Sequence, residues 1–354
     1  MDKLERVKSI LKKAIAGRSS DLHLMANMEP IVRVDDKLHK VEGEKVLASE
    51  EVEALILTTL RPEHTEKLKS DKETDYSFNF DGARVRANAY YERGNIAVSF
   101  RFISEKIRGI EELGLPPVIE EFANNEQGLV IVTGPTGHGK STTIAALIEY
   151  INKTTPKHIV TVEDPIEYVF QNSMSIINQR ELGTDTLSFT RALRSVLRED
   201  PDVVFIGEMR DVDTFEAALT IAETGHLVLA TLHTNSATQT PDRIIDGFPR
   251  DQQSQVRQQL SNVLLGVVSQ RLLQKASGQG RIPACEIMVA NSAIRNLIRE
   301  GKTHQIISVI QTSASEGMIT LDKVLADLVS RGEIAMEEAL KWATDVREFK
   351  KMIF

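Results

Sequence analysis

"GPTGHGKST" (residues 134–142) decides how the rest of the chain is read. Gly134, four residues, Gly139, Lys140 and Ser141 match the pattern G-x-x-x-x-G-K-[ST]. An apolar run, "GLVIVT" (128–133), precedes it, and "STTIAALIEYI" (141–151) follows with helical spacing. Glycines let backbone N–H groups turn inward around phosphate oxygens, and a helix starting there adds the positive end of its dipole. The competing reading is a glycine-rich turn that arose by chance, but it leaves both flanks unexplained. The spacing therefore predicts a nucleotide-binding loop of Gly134, Pro135, Thr136, Gly137, His138, Gly139, Lys140, Ser141 and Thr142. Lys140 is expected to neutralise the β- and γ-phosphates and Ser141 to ligate Mg²⁺, so ATP and Mg²⁺ are the expected ligands. His138 stands in the loop rather than at a ligand position. It is expected to tune affinity without changing the chemistry.

Working outward, three more short apolar runs resemble the one before the loop: "HIVTV" (158–162), "VVFIG" (203–207) and "HLVLAT" (226–231). Helical patterns separate them. Continuous β-branched strands of this kind are buried on both faces, which predicts an α/β domain around a largely parallel sheet. Ligands bind at the carboxyl ends of such strands. "HIVTVEDPIEY" ends its strand in Glu163 and Asp164, with Pro165 turning the chain out, and "DVVFIGEMRD" ends its strand in Glu208. The common phosphate-loop pattern puts Asp before that Glu, where this chain has Gly207. Glu208 is therefore expected to reach the metal or its waters alone, and Glu163 to activate the attacking water. The plainer alternative is that these acids are simply solvated. "TGHLVLATLHTN" puts His226 and His233 at opposite ends of a strand. His233 is expected to sense the γ-phosphate, and His226 to pack or meet a neighbouring subunit, as is Asp164. Without Cys partners this spacing is weak evidence for a metal.

The first hundred residues read differently. Leu4, Val7, Leu11 and Ala14 recur at helical spacing up to Gly17, strands follow at "DLHLM" and "PIVRV", and residues 50–69 read as one helix with Ser49 as N-cap. "ARVRANAYYERGNIAVSFRF" (83–102) alternates and breaks at "ERGN", which predicts a β-hairpin. Pairing Tyr91 with Ile96 puts Arg86 opposite Arg101. Like charges directly across a strand pair are destabilising. No anion belonging to this small domain is expected between them, so the γ-phosphate of a nucleotide, from the same or an adjacent chain, is the expected counterion. The alternative is two long side chains splayed into water. Arg191, Arg194 and Arg198 in "SFTRALRSVLREDPD" fall at i, i+3 and i+7, either a solvated helix face or trans-acting arginine fingers. The expected divisions are an N-terminal domain (1–105), a linker (106–117) and an ATPase domain (118–354) whose end, from about 291, is helical.

The bulk numbers narrow the class. A chain of 354 residues suits two domains. Its formal charge of −8 and 5% aromatic content argue against nucleic acid as the main partner. The single cysteine, Cys285, allows neither a disulfide framework nor a Cys-rich zinc site. "MDKLERVKSILKKAIAGRSSD" is charged throughout and unlike a secretory signal. No run approaches the ~18 apolar residues that would span a membrane. A soluble, reducing, cytoplasmic setting is expected, with membrane contact through a partner.

Four blocks in this order resemble the secretion-type P-loop ATPases: "GPTGHGKST", "TVEDPIEY", "VVFIGEMRD" and "TGHLVLATLHT". Within that superfamily the chain is similar to the PilT-type retraction ATPases of type IV pili, through "AIRNLIREGK" (293–302) and "SSDLHL" (19–24). The resemblance runs nearly end to end. It implies a PAS-like N-terminal domain, a RecA-like core and a homohexameric ring. It also implies catalysis by Glu163, metal handling by Glu208, nucleotide sensing in the histidine block, and N-terminal-domain arginines on the nucleotide. The implied partners are the pilus machinery and an inner-membrane platform protein at the cytoplasmic face. Neither nucleic acid nor the four-cysteine zinc element of the pilus-extension and type II secretion relatives is implied. His138 departs from the usual Ser or Ala, and Cys285 is a second departure. Three alternatives stay open: an accessory retraction (PilU-like) or other secretion ATPase, a nucleic-acid translocase, and an ATP-binding module without turnover.

Overall fold

The computed structural model describes residues 3–17, 19–34, 37–103 and 107–353. The chain forms two compact units, Met1–Lys106 and Ile107–Phe354. In the first, α1 (Lys3–Ala16) is followed by β1 (Asp21–Leu24), β2 (Ile31–Val34) and β3 (Lys37–Lys40). Then come α2 (Ser49–Thr59), α3 (Pro62–Asp71), β4 (Glu73–Phe80), β5 (Ala83–Glu92) and β6 (Asn95–Ile103). The strands form one antiparallel sheet in the order β3-β2-β1-β6-β5-β4. Val7, Ile10, Leu11 and Ala14 of α1 are buried with Leu55 and Ile56 of α2 against Val85, Ala87, Val98 and Phe100 of the sheet. That stripe on α1 has the spacing of one helix face.

The single helix expected over 50–69 is two. Pro62 cannot continue a helix across the Leu60–Arg61 corner, but it fits the first turn of the next one. Ser49 is the first helical residue rather than the cap. The cap is Ala48, whose N–H donates to Glu51 Oε2 at 2.7 Å.

The β5–β6 register is the one counted from the sequence, with Tyr91 opposite Ile96 and Arg86 opposite Arg101. Arg93 and Gly94 turn the hairpin with φ of 50° and 81°, the positive pair that a two-residue turn requires. One expectation fails. β1 lies on the other side of β6 with Asp21 opposite Arg101, and Asp21 Oδ1 accepts from Arg101 Nε at 2.9 Å. An anion of this unit therefore serves one arginine of the pair. Arg86 is half-buried and, among the described residues, makes no ion pair.

In the second unit, α4 (Val118–Ala123), β7 (Gly128–Thr133), α5 (Lys140–Thr154), β8 (His158–Glu163), β9 (Ile176–Glu181) and α6 (Phe189–Val196) come first. They are followed by β10 (Val203–Ile206), α7 (Val212–Glu223), β11 (Leu227–Leu232), α8 (Thr240–Ile245), α9 (Gln253–Val263), β12 (Leu264–Gln274) and β13 (Arg281–Val289). Helices α10 (Ser292–Arg299), α11 (Ile306–Thr312), α12 (Leu321–Ser330), α13 (Met336–Leu340) and α14 (Val346–Lys351) complete it. The sheet order is β13-β12-β7-β11-β10-β8-β9, parallel except for β13. Strand residues alternate between two cores: Leu129 and Ile131 of β7 face one, and Val130 and Val132 face the other. All four strands read from apolar runs lie in the middle of this sheet, so their carboxyl ends share one edge.

Residues 107–117, read as linker, belong to this unit, with Ile110 and Leu115 buried in its core. Residue 106, where that segment was expected to begin, lies outside the described residues. Among the described residues, no helix is long and apolar enough to cross a membrane.

Candidate functional site

The loop between β7 and α5 turns on three glycines at positive φ: Gly134 (141°), Gly137 (79°) and Gly139 (83°). Two also lack room for a side chain. A Cβ at Gly134 would strike the Gln270 carbonyl, and one at Gly139 would lie 2.8 Å from Gln270 Nε2. The backbone N–H groups that open α5 have no partner within the helix, which is the basis of anion binding at such a terminus. Lys140, the first residue of α5, is 8% exposed. Its ammonium donates to the carbonyls of Gly134 (2.9 Å) and Pro135 (3.1 Å). Burial lowers its pKa, partly offset by Glu208 and Glu167.

His233, just past β11, joins this lysine to a carboxylate. Its Nδ1 lies 3.3 Å from Lys140 Nζ and its Nε2 lies 3.2 Å from Glu208 Oε1. An ammonium only donates, so Nδ1 accepts and the Nε2 proton points at Glu208. On its other oxygen Glu208 accepts from Arg210 Nη2 at 2.8 Å. Burial pushes the Glu208 pKa up, but the Arg210 bond and charge, with His233, hold it below the ordinary carboxylate value. Asp164 Oδ2 is 3.9 Å from Arg210 Nη1. Lys140, His233, Glu208, Arg210 and Asp164 thus form one connected polar chain.

Glu163 ends β8 beside it. It is 5% exposed, and burial raises its pKa to about 7. Thr161 Oγ1 (2.6 Å) and Gln179 Nε2 (3.2 Å) donate to Oε1, and the Glu167 N–H donates to Oε2 at 3.4 Å. The structure gives a reason for Gly207. A Cβ there would sit 3.1 Å from Val162 O and 3.2 Å from Glu163 Cα. The residue before Glu208 stays bare so that the Glu163 strand end can lie against it.

A magnesium ion fits the donors present. Glu208 is held ionised, and Ser141 follows Lys140 with, among the described residues, no side-chain hydrogen bond. Mg²⁺ is commonly held by one or two protein oxygens together with phosphates and water. Among the described residues, no group of three or more His, Cys, Asp or Glu could hold a metal.

Other expected residues stand apart. His226 lies at the opposite end of β11, where Nδ1 donates to the Ile221 carbonyl at 3.0 Å, satisfying the last turn of α7. Arg191, Arg194 and Arg198 are exposed and, among the described residues, make no ion pair. They do not share one helix, because α6 ends at Val196 and Arg198 lies in the turn beyond.

Sequence reasoning missed β12. Gln270, 2% exposed, donates through Nε2 to the His138 carbonyl (2.8 Å) and accepts from Thr143 Oγ1 (2.6 Å). Arg271, 4% exposed, donates to the carbonyls of Gln270 (3.1 Å) and Asn235 (2.6 Å). The signal was a Gln-Arg pair inside the apolar run "LLGVVSQRLL" (264–273), polar groups that must find partners once buried.

A family model described as "Type II/IV secretion system protein" matches residues 3–341. The "Type IV pilus retractation ATPase PilT" of Pseudomonas aeruginosa is 48% identical over 322 residues, 91% of this chain and 93% of that protein. The "Twitching motility protein" of Neisseria gonorrhoeae is 45% identical, over 95% of this chain and 90% of that one. The structure titled "Crystal Structure of the Pilus Retraction Motor PilT and Bound ADP" matches with a TM-score of 0.91 at 46% identity. It covers 98% of this chain and 99% of its own.

Proposed function

The chain belongs to the type II/IV secretion system protein family, and from that premise we propose that it is the ATP-hydrolysing motor that retracts type IV pili. The observation that carries this reading is the polar chain from Lys140 through His233 to Glu208, with the buried Glu163 on the neighbouring strand end. The end-to-end likeness to a pilus retraction ATPase supports it.

In this reading residues 134–142 bind the ATP phosphates, with the loop N–H groups and Lys140 supplying positive charge. Ser141 and Glu208 would hold Mg²⁺, which would neutralise phosphate charge when bound. Glu163 takes a proton from the attacking water, a role suited to a carboxyl whose pKa of about 7 lies near working pH. His233, touching both Lys140 and Glu208, reads whether the γ-phosphate is present. We assign the protein to a homohexameric ring at the cytoplasmic face of the inner membrane, acting on the pilus machinery through a platform protein. Arg86 and Arg101 would serve a γ-phosphate of their own or an adjacent subunit. Arg194 and Arg198 would act from a neighbouring subunit.

The test is Glu163→Gln, assayed for phosphate release and for ATP binding. Turnover should fall by ~10² or more while binding persists, because a positioned general base contributes roughly that factor. Equal, near-zero rates in both proteins would favour a binding module without turnover, and wild-type turnover in the variant would reject Glu163 as the base.

A further inference from the structure

His138 stands between two glycines at positive φ, and three contacts hold it. Its carbonyl accepts from Gln270 Nε2 at 2.8 Å. Its Nδ1 accepts from the Leu272 backbone N–H at 3.0 Å. Its ring meets Trp342 edge-on, with centroids 5.1 Å apart and planes at 73°. A backbone N–H only donates, so Nδ1 carries the lone pair and the ring proton sits on Nε2. An imidazolium has no lone pair, so a second proton removes this bond and sets two donors face to face. The charged groups facing the ring are Lys140 from α5, Arg271 from β12 and Arg281 from β13, all cations. Trp342, on the turn after α13, adds none. Burial first, then these three cations, pushes the His138 pKa below the ordinary histidine value.

We propose that His138 is a positioning residue of the nucleotide site: its neutral ring pins the phosphate loop to β12, and protonation unpins the loop and weakens nucleotide binding. The ring points at β12 and Trp342, so its contribution is to loop geometry rather than phosphate contact. β12 holds the neighbouring loop as well, through Arg271 and the Asn235 carbonyl. The ring bond thus ties the phosphate loop to the strand that also fixes the segment after His233. This inference rests on reading residues 134–142 as a nucleotide loop.

The test is equilibrium binding of a fluorescent ADP to the full chain, as wild type, His138→Asn and His138→Ser, in steps from about pH 8 down to about pH 4.5, because a histidine held below its ordinary value titrates toward the acid end. An Asn Oδ1 offers an acceptor that does not titrate, whereas a Ser hydroxyl is too short to reach the Leu272 N–H. The acid-to-neutral ratio of dissociation constants should be about fivefold larger in wild type than in His138→Asn, the worth of one ordinary hydrogen bond. His138→Ser should bind more weakly than His138→Asn at the higher pH, with a ratio as flat. Either variant alone supplies the comparison if the other misfolds. A wild-type ratio equal to those of the variants, or tighter wild-type binding in acid, overturns the proposal while leaving the nucleotide reading intact. Failure of all three to bind at any pH removes both.

Discussion

Thr161→Val tests the chemistry assigned to Glu163 without touching the carboxylate. Burial raises the Glu163 pKa to about 7, while hydrogen bonds from Thr161, Gln179 and the Glu167 N–H pull it down. Valine keeps the shape of the fully buried Thr161 and deletes the 2.6 Å donor. A hydrogen bond to a charged group is worth ~1.5–3 kcal/mol, and one pKa unit corresponds to about 1.36 kcal/mol. Gln179 Nε2 stays on the same oxygen and takes up part of the loss, so a rise of about one unit is expected. The assay is kcat/KM for ATP hydrolysis across pH, which reports the free enzyme. A base must be ionised, so wild-type activity should fall on the acid side of a limb near pH 7. In the variant that limb should move to about pH 8 with its alkaline plateau largely kept.

Stability supplies a second readout of the same group. The folded pKa, about 7, lies above the ordinary 4.5, so the folded state holds an extra proton between them. That contribution is complete below pH 4.5 and is lost as pH rises through 7. In Thr161→Val the loss should run on by about one more pH unit, roughly 1.4 kcal/mol in alkaline solution. An acid limb at the same pH in both proteins would remove Glu163 as the titrating base.

Arg86→Ala and Arg101→Ala should each abolish hydrolysis and leave nucleotide binding nearly intact; unchanged turnover in both would eliminate the hairpin arginines from the mechanism. Arg101 is 67% exposed at its side chain and Asp21 12%, with Ser20 Oγ (2.8 Å) and Arg33 Nε (3.9 Å) remaining at the carboxylate, so breaking the pair should cost about 1 kcal/mol in a urea titration. Gln270→Leu leaves the His138 carbonyl and the Thr143 hydroxyl without their buried partner. A loss of ~2–3 kcal/mol with weaker ADP binding is expected, and an unmoved urea midpoint with unmoved affinity would refute the anchoring role.

The central sheet was legible because its strands are apolar on both faces, a signal that needs no knowledge of partners. The edges were not. β9, "IINQRE", is half-polar and leaves Ile176 exposed, so neither alternation nor a continuous run marks it. In β12 the Gln-Arg pair breaks the apolar run at the point where it serves the loop. Polar residues there lower the strand signal and raise the functional one. Asp21 was invisible for another reason. Its partner Arg101 is 80 residues away, and local pattern fixed the β5–β6 register but not which strand lies on the far side of β6. Where the local signal was strong, as at Arg86 and Arg101, the count across the turn was right to the residue.

Asp21 changes the energetics proposed for the hairpin arginines rather than removing them. Two guanidinium groups directly opposed would repel whenever no phosphate lay between them, and the phosphate-free state would carry that cost. With Asp21 on Arg101, that cost is reduced, and Arg86 keeps its charge uncompensated by any ion pair among the described residues. Water screens the exposed Arg101 end of the pair, and the buried Asp21 also accepts from Ser20 Oγ (2.8 Å) and lies 3.9 Å from Arg33 Nε, so the pair is a modest competitor for Arg101. A phosphate oxygen offers a charge-assisted bond roughly twice as strong as a neutral one. An anion arriving at the hairpin can therefore draw Arg101 from Asp21 and return it on leaving, at small net cost in either direction. A buried carboxylate with Arg101 as its one partner would hold it more tightly. With no partner, the phosphate-free state would be strained. A carboxylate on the neighbouring strand that keeps Ser20 and Arg33 when Arg101 leaves permits the repeated exchange proposed for the hairpin.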